Sequence, residues 1–144
     1  MKKIVFVCLG NICRSPMAEF VMKELDQEQS LHIESRATSS WEHGNPVHQG
    51  TQTILRKYAI SFDSSKGSQQ ISQADFEFFD LVVGMDESNV EDLLQISAGR
   101  YDDKIKLFRP GGVPDPWYTG DFEETYKLVT AGCRDWLQWI KDRQ

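Results

Sequence analysis

Lys3–Cys8 is a short run of β-branched and aromatic residues, apolar on both faces. It leads through Leu9-Gly10-Asn11-Ile12-Cys13-Arg14 directly into Ser15-Pro16. An apolar run of this kind suits a central parallel strand. Ser15 followed by Pro16 suits a helix N-cap with proline at the first helical position. Strand, tight loop and helix in so few residues set the first step of an alternating pattern.

The rest of the chain continues that alternation. Met17, Phe20, Val21 and Leu25 form the apolar stripe of the first helix. Ile33–Thr38 reads as a second strand, followed by a loop over 39–46 and a helix over Val47–Tyr58 approached through Asn45-Pro46. Ser72 with Asp75 three residues on is a capping-box variant that starts a short helix. Asp80–Gly84 is a third buried strand, and Asp86 caps a helix over Glu87–Ile96. Ile105–Phe108 is a fourth strand, and Arg109–Gly120 is a Pro/Gly-rich loop of the kind that carries function. A final helix spans 122–141, with Asp121 as N-cap and Glu124 in the capping-box position. Its residues Phe122, Tyr126, Val129, Cys133, Trp136, Leu137 and Ile140 recur at helical spacing and are expected on the core face. Strands alternating with helices predict one α/β domain over 1–144, a four-stranded parallel sheet with helices on both faces. Such sheets bind ligands beyond the carboxyl ends of their strands, which is where Cys8 falls.

Composition narrows the function classes. A net charge of −6 argues against a nucleic-acid surface, though a local cationic pocket is compatible with it. Lys2 and Lys3 before an apolar run resemble a signal-peptide start, but the run is short and no small-residue cleavage site follows. No other stretch approaches membrane-spanning length. The three cysteines, Cys8, Cys13 and Cys133, are too few and too odd in number for a disulfide framework, so thiols in a reducing cytoplasm are expected. His32, His43 and His48 have no ligand spacing beside a Cys pair, which argues against zinc.

The chemistry is therefore sought in Cys8-Leu9-Gly10-Asn11-Ile12-Cys13-Arg14-Ser15. A loop of this length between a strand and a helix start can curl so that successive N–H groups converge as an anion nest. The helix adds its positive end. Gly10 and Asn11 tolerate the left-handed conformations such a curl needs. An oxyanion held there would lie against the Cys8 sulfur, with Arg14 gripping two oxygens as a fork. The same positive field favours the nucleophilic thiolate, and the Ser15 hydroxyl is within reach as a donor to it. Cysteine and arginine at this spacing occur by chance elsewhere. The strand–loop–helix setting and the following Ser-Pro make the match specific.

Transfer of a phosphoryl group from a phenol needs an acid to protonate the leaving oxygen. Asp115-Pro116-Trp117-Tyr118 offers a carboxyl in a loop beside two aromatics. An isolated Asp-Pro is most often only a turn, and it becomes a candidate here because of the Cys8 motif. Trp41, Trp117 and Tyr118 lie in predicted loops and can wall a slot for an aromatic ring.

Over its whole length the sequence resembles the low-molecular-weight protein tyrosine phosphatases. The resemblance rests on 7–19 around the Cys8 motif, Ala37-Thr38-Ser39 with Trp41, Gly44-Asn45-Pro46, Met85-Asp86-Glu87-Ser88-Asn89 and Asp115-Pro116-Trp117-Tyr118. It implies that Cys8 takes the phosphoryl group, Arg14 and the loop amides stabilise it, and Asp115 acts as acid and then as base. Asn11 and Ser39 would brace the loop, Ser15 would tune the thiolate, and Cys13 would pair reversibly with Cys8 under oxidation. No metal or other cofactor is implied. Phosphotyrosine proteins are the implied substrates, a tyrosine kinase among the partners, and the chain a monomer or weak dimer. Related arsenate reductases use further mid-chain cysteines, which are lacking here between Cys13 and Cys133. Protein-arginine phosphatases carry Thr where this chain has Ile12, and an apolar Ile12 suits a phenyl ring better than a guanidinium. A phosphotyrosine-binding module without catalysis would not need Cys8, Arg14 and Asp115 together.

Overall fold

The computed structural model describes residues 2–144. Four strands, β1 (Lys3–Cys8), β2 (His32–Ala37), β3 (Leu81–Gly84) and β4 (Ile105–Leu107), form one parallel sheet in the order β2-β1-β3-β4. Six helices connect and follow them: α1 (Arg14–Leu25), α2 (Gln49–Lys57), α3 (Gln73–Phe78), α4 (Glu87–Ile96), α5 (Pro116–Thr119) and α6 (Phe122–Lys141). The expected α/β architecture with four parallel strands is present. None of these helices is long and apolar enough to cross a membrane.

The pleat of β1 explains why its sequence is apolar throughout. Ile4, Phe6 and Cys8 point into a core with Met17, Phe20 and Val21 of α1 and with Val129, Cys133 and Ile140 of α6. Val5 and Val7 point into the opposite core, with Phe76 of α3, Phe79, and Leu93 of α4. Alternate residues of one strand thus feed two layers. Phe6 is fully buried against Phe108 in an edge-to-face contact, and burial of a side chain this size contributes about 1.5–3 kcal/mol.

The strand order places the topological switch at β1, whose neighbours β2 and β3 are reached by connections running in opposite directions. Loops following β1, β3 and β4 therefore gather at one edge, beyond the carboxyl ends.

Several boundaries differ from expectation, each for a local reason. The first helix starts at Arg14 with Cys13 in the N-cap position and no side-chain cap. Ser15 is not the cap, because its hydroxyl is engaged with Asn11 and Cys8 instead. The second helix starts at Gln49, capped by the His48 ring, which accepts the Gly50 N–H at 2.9 Å. The chain from Asn45 to Val47 stays extended beside Gly67 and Ser68. The capping box at Ser72 and Asp75 is complete. At α6 only half of one forms: Asp121 accepts from the Glu124 amide, while the Asp121 N–H donates to Thr119 rather than to Glu124. The loop of residues 109–120 contains α5, so Trp117 and Tyr118 sit on a helical turn.

Candidate active site

Cys8 closes β1 and is buried, as are Asn11, Cys13, Arg14 and Ser15 around it. The loop between β1 and α1 curls over the sulfur. Asn11, at φ 55°, takes the left-handed conformation its short polar side chain tolerates, and this turns its N–H to the Cys8 Sγ at 3.3 Å. The Ser15 Oγ lies 3.0 Å from the same sulfur. The backbone amides of Gly10, Ile12 and Cys13 find no acceptor among the described residues, and the first-turn amides of Arg14 and Ser15 have none within a helix. Most buried amides in folded proteins are paired. A ring of unspent donors around a buried sulfur is a cradle for an anion.

Asn11 anchors this cradle with all four hydrogen-bonding positions of its amide. Its Nδ2 donates to Ser15 Oγ at 2.8 Å and Ser35 Oγ at 2.9 Å, and its Oδ1 accepts from Lys66 Nζ at 3.1 Å and the Gln69 N–H at 3.2 Å. Ser39 ties the loop from outside, with its hydroxyl donating to the Leu9 carbonyl at 2.8 Å. Ser68 does the same to Gly10 at 2.7 Å, Thr51 to the Cys13 carbonyl at 3.1 Å, and the His48 N–H to the Ile12 carbonyl at 2.8 Å.

Arg14 is held from two other loops. Its Nη1 donates to Asp86 Oδ2 at 2.6 Å and to the Val113 carbonyl at 2.9 Å, and its Nη2 to Asp115 Oδ2 at 3.5 Å. Val113 reaches it because Gly112, at φ 71°, lets the chain press on Asp86, where a Cβ would come within 2.9 Å of the Asp86 Cβ. Arg14 Nε has no partner among the described residues. Burial works against the guanidinium charge. The Cys8 sulfur, Asp86 and Asp115 outweigh it and raise the pKa above the ordinary arginine value, so Arg14 stays cationic.

Asp115 divides its carboxylate. Oδ1 caps α5 through the Trp117 N–H at 3.0 Å, and Oδ2 is the oxygen nearest Arg14. Asp115, Arg14, Cys8, Leu9, Gly10, Ile12, Cys13, Trp41, Trp117 and Tyr118 line one cavity of about 210 Å³. Trp41 and Tyr118 are 78% and 79% exposed and form its rim with Trp117. Burial, with the nearby Cys8 sulfur, pushes the Cys13 thiol up to about 12, so Cys13 remains protonated at neutral pH. Cys8 and Cys13 are both free.

The residues expected from the sequence are thus brought together. Among those not singled out as site residues are Asp86, Ser35, Thr51, Lys66, Ser68 and Glu42, the last also lining the cavity. Asp86 is legible in the sequence as the cap of α4, a role it fills by accepting the Asn89 N–H at 2.8 Å, and within a segment of the family resemblance, but not as a partner of Arg14.

Residues 3–144 match the family model for the low molecular weight phosphotyrosine protein phosphatases. The chain is 40% identical to the low molecular weight protein-tyrosine-phosphatase YfkJ of Bacillus subtilis, over 100% of this chain and 99% of YfkJ. It is 38% identical to PtpA of Staphylococcus aureus, over 97% of this chain and 94% of PtpA. The crystal structure of SP-PTP, a low molecular weight protein tyrosine phosphatase from Streptococcus pyogenes, superposes with a TM-score of 0.95 at 61% identity, covering 97% and 93% of the two chains.

Proposed function

The chain belongs to the low molecular weight phosphotyrosine protein phosphatase family, and from that premise we propose that it hydrolyses phosphotyrosine in proteins through a phosphocysteine on Cys8. The observation that carries this reading is the buried Cys8 sulfur inside a loop whose Gly10, Ile12 and Cys13 amides have no acceptor among the described residues, beside a buried arginine whose Nε likewise has no partner among them. Arg14 uses its Nη1 donors on Asp86 and Val113. Nε–H and the outer Nη2–H then form the fork for two phosphoryl oxygens.

In the first step the Cys8 thiolate attacks phosphorus and the tyrosyl oxygen leaves, taking a proton from Asp115. In the second, Asp115 receives a proton from water as its oxygen attacks the phosphocysteine, releasing phosphate and the thiolate. The Ser15 hydroxyl stabilises the sulfur anion in its role as leaving group. Cys13, a buried thiol lining the same cavity, is the candidate partner for a Cys8 sulfenic acid, condensing with it to a disulfide and water. The free cysteines suit a reducing, cytoplasmic setting in which a tyrosine kinase supplies the substrate.

Phosphate release from matched phosphotyrosine, phosphoserine and phosphoarginine peptides, and arsenate reduction, tests the assignment with metals chelated. The phosphotyrosine peptide is expected to dominate in kcat/KM, with phosphate trapped on Cys8 in mass spectra. Ile12→Thr is expected to shift the ratio toward phosphoarginine. Equal rates on phosphoserine or phosphoarginine peptides would overturn the tyrosine preference.

A further inference from the structure

The hydrogen bonds behind the phosphate loop have a fixed direction, set by Lys66 together with the Gln69 amide. Lys66 Nζ and the Gln69 backbone N–H are obligate donors, so the atom of Asn11 that meets both must be the carbonyl oxygen. The amide nitrogen then faces Ser15 and Ser35 and donates to both. Ser35 passes its own hydrogen to Glu19 Oε1 at 2.6 Å. Ser15, accepting from Asn11, has its hydrogen left for the Cys8 Sγ at 3.0 Å, with the Arg36 carbonyl at 3.4 Å the weaker alternative.

We propose that Lys66 is a positioning residue for the nucleophile, its ammonium polarising the Asn11 amide so that the Ser15 hydroxyl is held as a donor to the Cys8 thiolate. The inference deepens the reading of the Cys8 site and rests on it. Lys66 lies 55 residues from Asn11 along the chain and touches neither the cavity that Cys8 lines nor Cys8 itself. It projects instead into a second, polar cavity on the other side of the loop, with Glu19 and Lys23 of α1, Glu34 and Arg36 of β2, and Asp63.

The cations of that second cavity are not equivalent. Lys23 has Glu19 at 2.6 Å, and Arg36 has Glu34 at 2.8 Å and Asp75 at 3.3 Å. The nearest carboxylate to Lys66 is Glu19 Oε1, at 3.9 Å, so its closest oxygen is the neutral Asn11 carbonyl. A cation whose main partner is an amide delivers its polarisation into that amide and on to the next bond in the chain. Burial holds the Lys66 ammonium below the usual lysine range. Glu19 and Glu34 oppose that effect, while Arg36 and Lys23 add to it.

The test reads the sulfur without turnover. Alkylation of Cys8 by iodoacetamide, a neutral reagent, is followed by peptide mass spectrometry at pH 6 in Lys66→Met, Lys66→Gln and Lys66→Arg, with folding checked by circular dichroism. Lys66→Met, which removes both charge and donor, is expected to slow alkylation about 5- to 10-fold, the scale of one ordinary hydrogen bond's net contribution. Lys66→Gln keeps a donor without charge and is expected to fall between Met and wild type. Lys66→Arg restores charge and donor and is expected to recover most of the rate. An alkylation rate in Lys66→Met equal to wild type, or equal losses in all three variants, overturns the proposal. Should Lys66→Met fail to fold, the contrast between Gln and Arg decides it. Because no substrate is used, a failed phosphotyrosine assay with a responsive alkylation rate would sink the assigned activity and leave this inference standing.

Discussion

The loop of residues 9–13 and the segment of residues 115–120 face each other across one cavity, and they are held in opposite ways. The first is pinned at nearly every residue: Leu9, Gly10, Ile12 and Cys13 through their carbonyls, Asn11 through its whole side chain. The second is one short helical turn, held by Asp115 capping its own N-terminus and by Gly120 in the left-handed conformation at its end. Its Trp117 touches the His48 ring edge-on, while Tyr118 is largely exposed. Charge stabilisation needs donors fixed before the reaction, since reorganising them would consume the gain. Contact with varied peptide surfaces needs side chains that adjust. One cavity therefore joins a densely bonded floor to a sparsely bonded, exposed rim.

The largest way to break the floor is at Arg14. Arg14→Lys keeps the charge and loses the fork, and leaves Asp86 and the Val113 carbonyl with a point donor. Phosphotyrosine kcat/KM is expected to drop by about 10²- to 10³-fold, measured by steady-state kinetics. A smaller loss than that of Tyr118→Ala would show that the floor is not where binding energy is concentrated.

Asp115→Asn lies at the junction of the two regions. It keeps an acceptor for the Trp117 N–H, so α5 should remain capped. Loss of proton transfer is expected to lower kcat on phosphotyrosine by about 10²-fold or more. The loss on an aryl phosphate with an acidic phenol should be far smaller, because that leaving group departs unprotonated. Equal losses on the two substrates would mark Asp115 as a turn residue alone.

The rim should give the smallest effects. Trp41→Ala and Tyr118→Ala are each expected to remove about 0.5–1.5 kcal/mol of ring contact beyond the lost area, read as a reduced kcat/KM on phosphotyrosine peptides and a weaker effect on inorganic phosphate as inhibitor. If phosphate inhibition weakens as much as peptide turnover, the rim supports the floor and the contrast between the two regions fails.

What is most legible in the sequence is what is contiguous, with Asp115 and the loop aromatics added only through motif and resemblance. β1, α4 and α6 begin and end where periodicity and caps indicate, and the proposed nucleophile and phosphate-binding groups from Cys8 to Ser15 lie in one short stretch. The misreadings were also local. Ser15-Pro16 looks like a cap and first helical residue, and nothing nearby reveals that the hydroxyl is claimed by Asn11 and Cys8. His48 escaped as a cap because a histidine accepts an amide N–H only as the correct tautomer in the correct rotamer.

By itself the sequence determined the alternation of strand and helix and the loop that surrounds Cys8, because hydrophobic period and short-range backbone preference act over a few residues. The tertiary structure alone decided which distant groups brace Arg14 and Asn11 from behind. Asp86 meets Arg14 across 72 residues and Lys66 meets Asn11 across 55. Asp86 shows why: one carboxylate oxygen caps its own helix, which local sequence signals, while the other reaches Arg14 only because β3 pairs beside β1 and brings the two loop ends to the same edge.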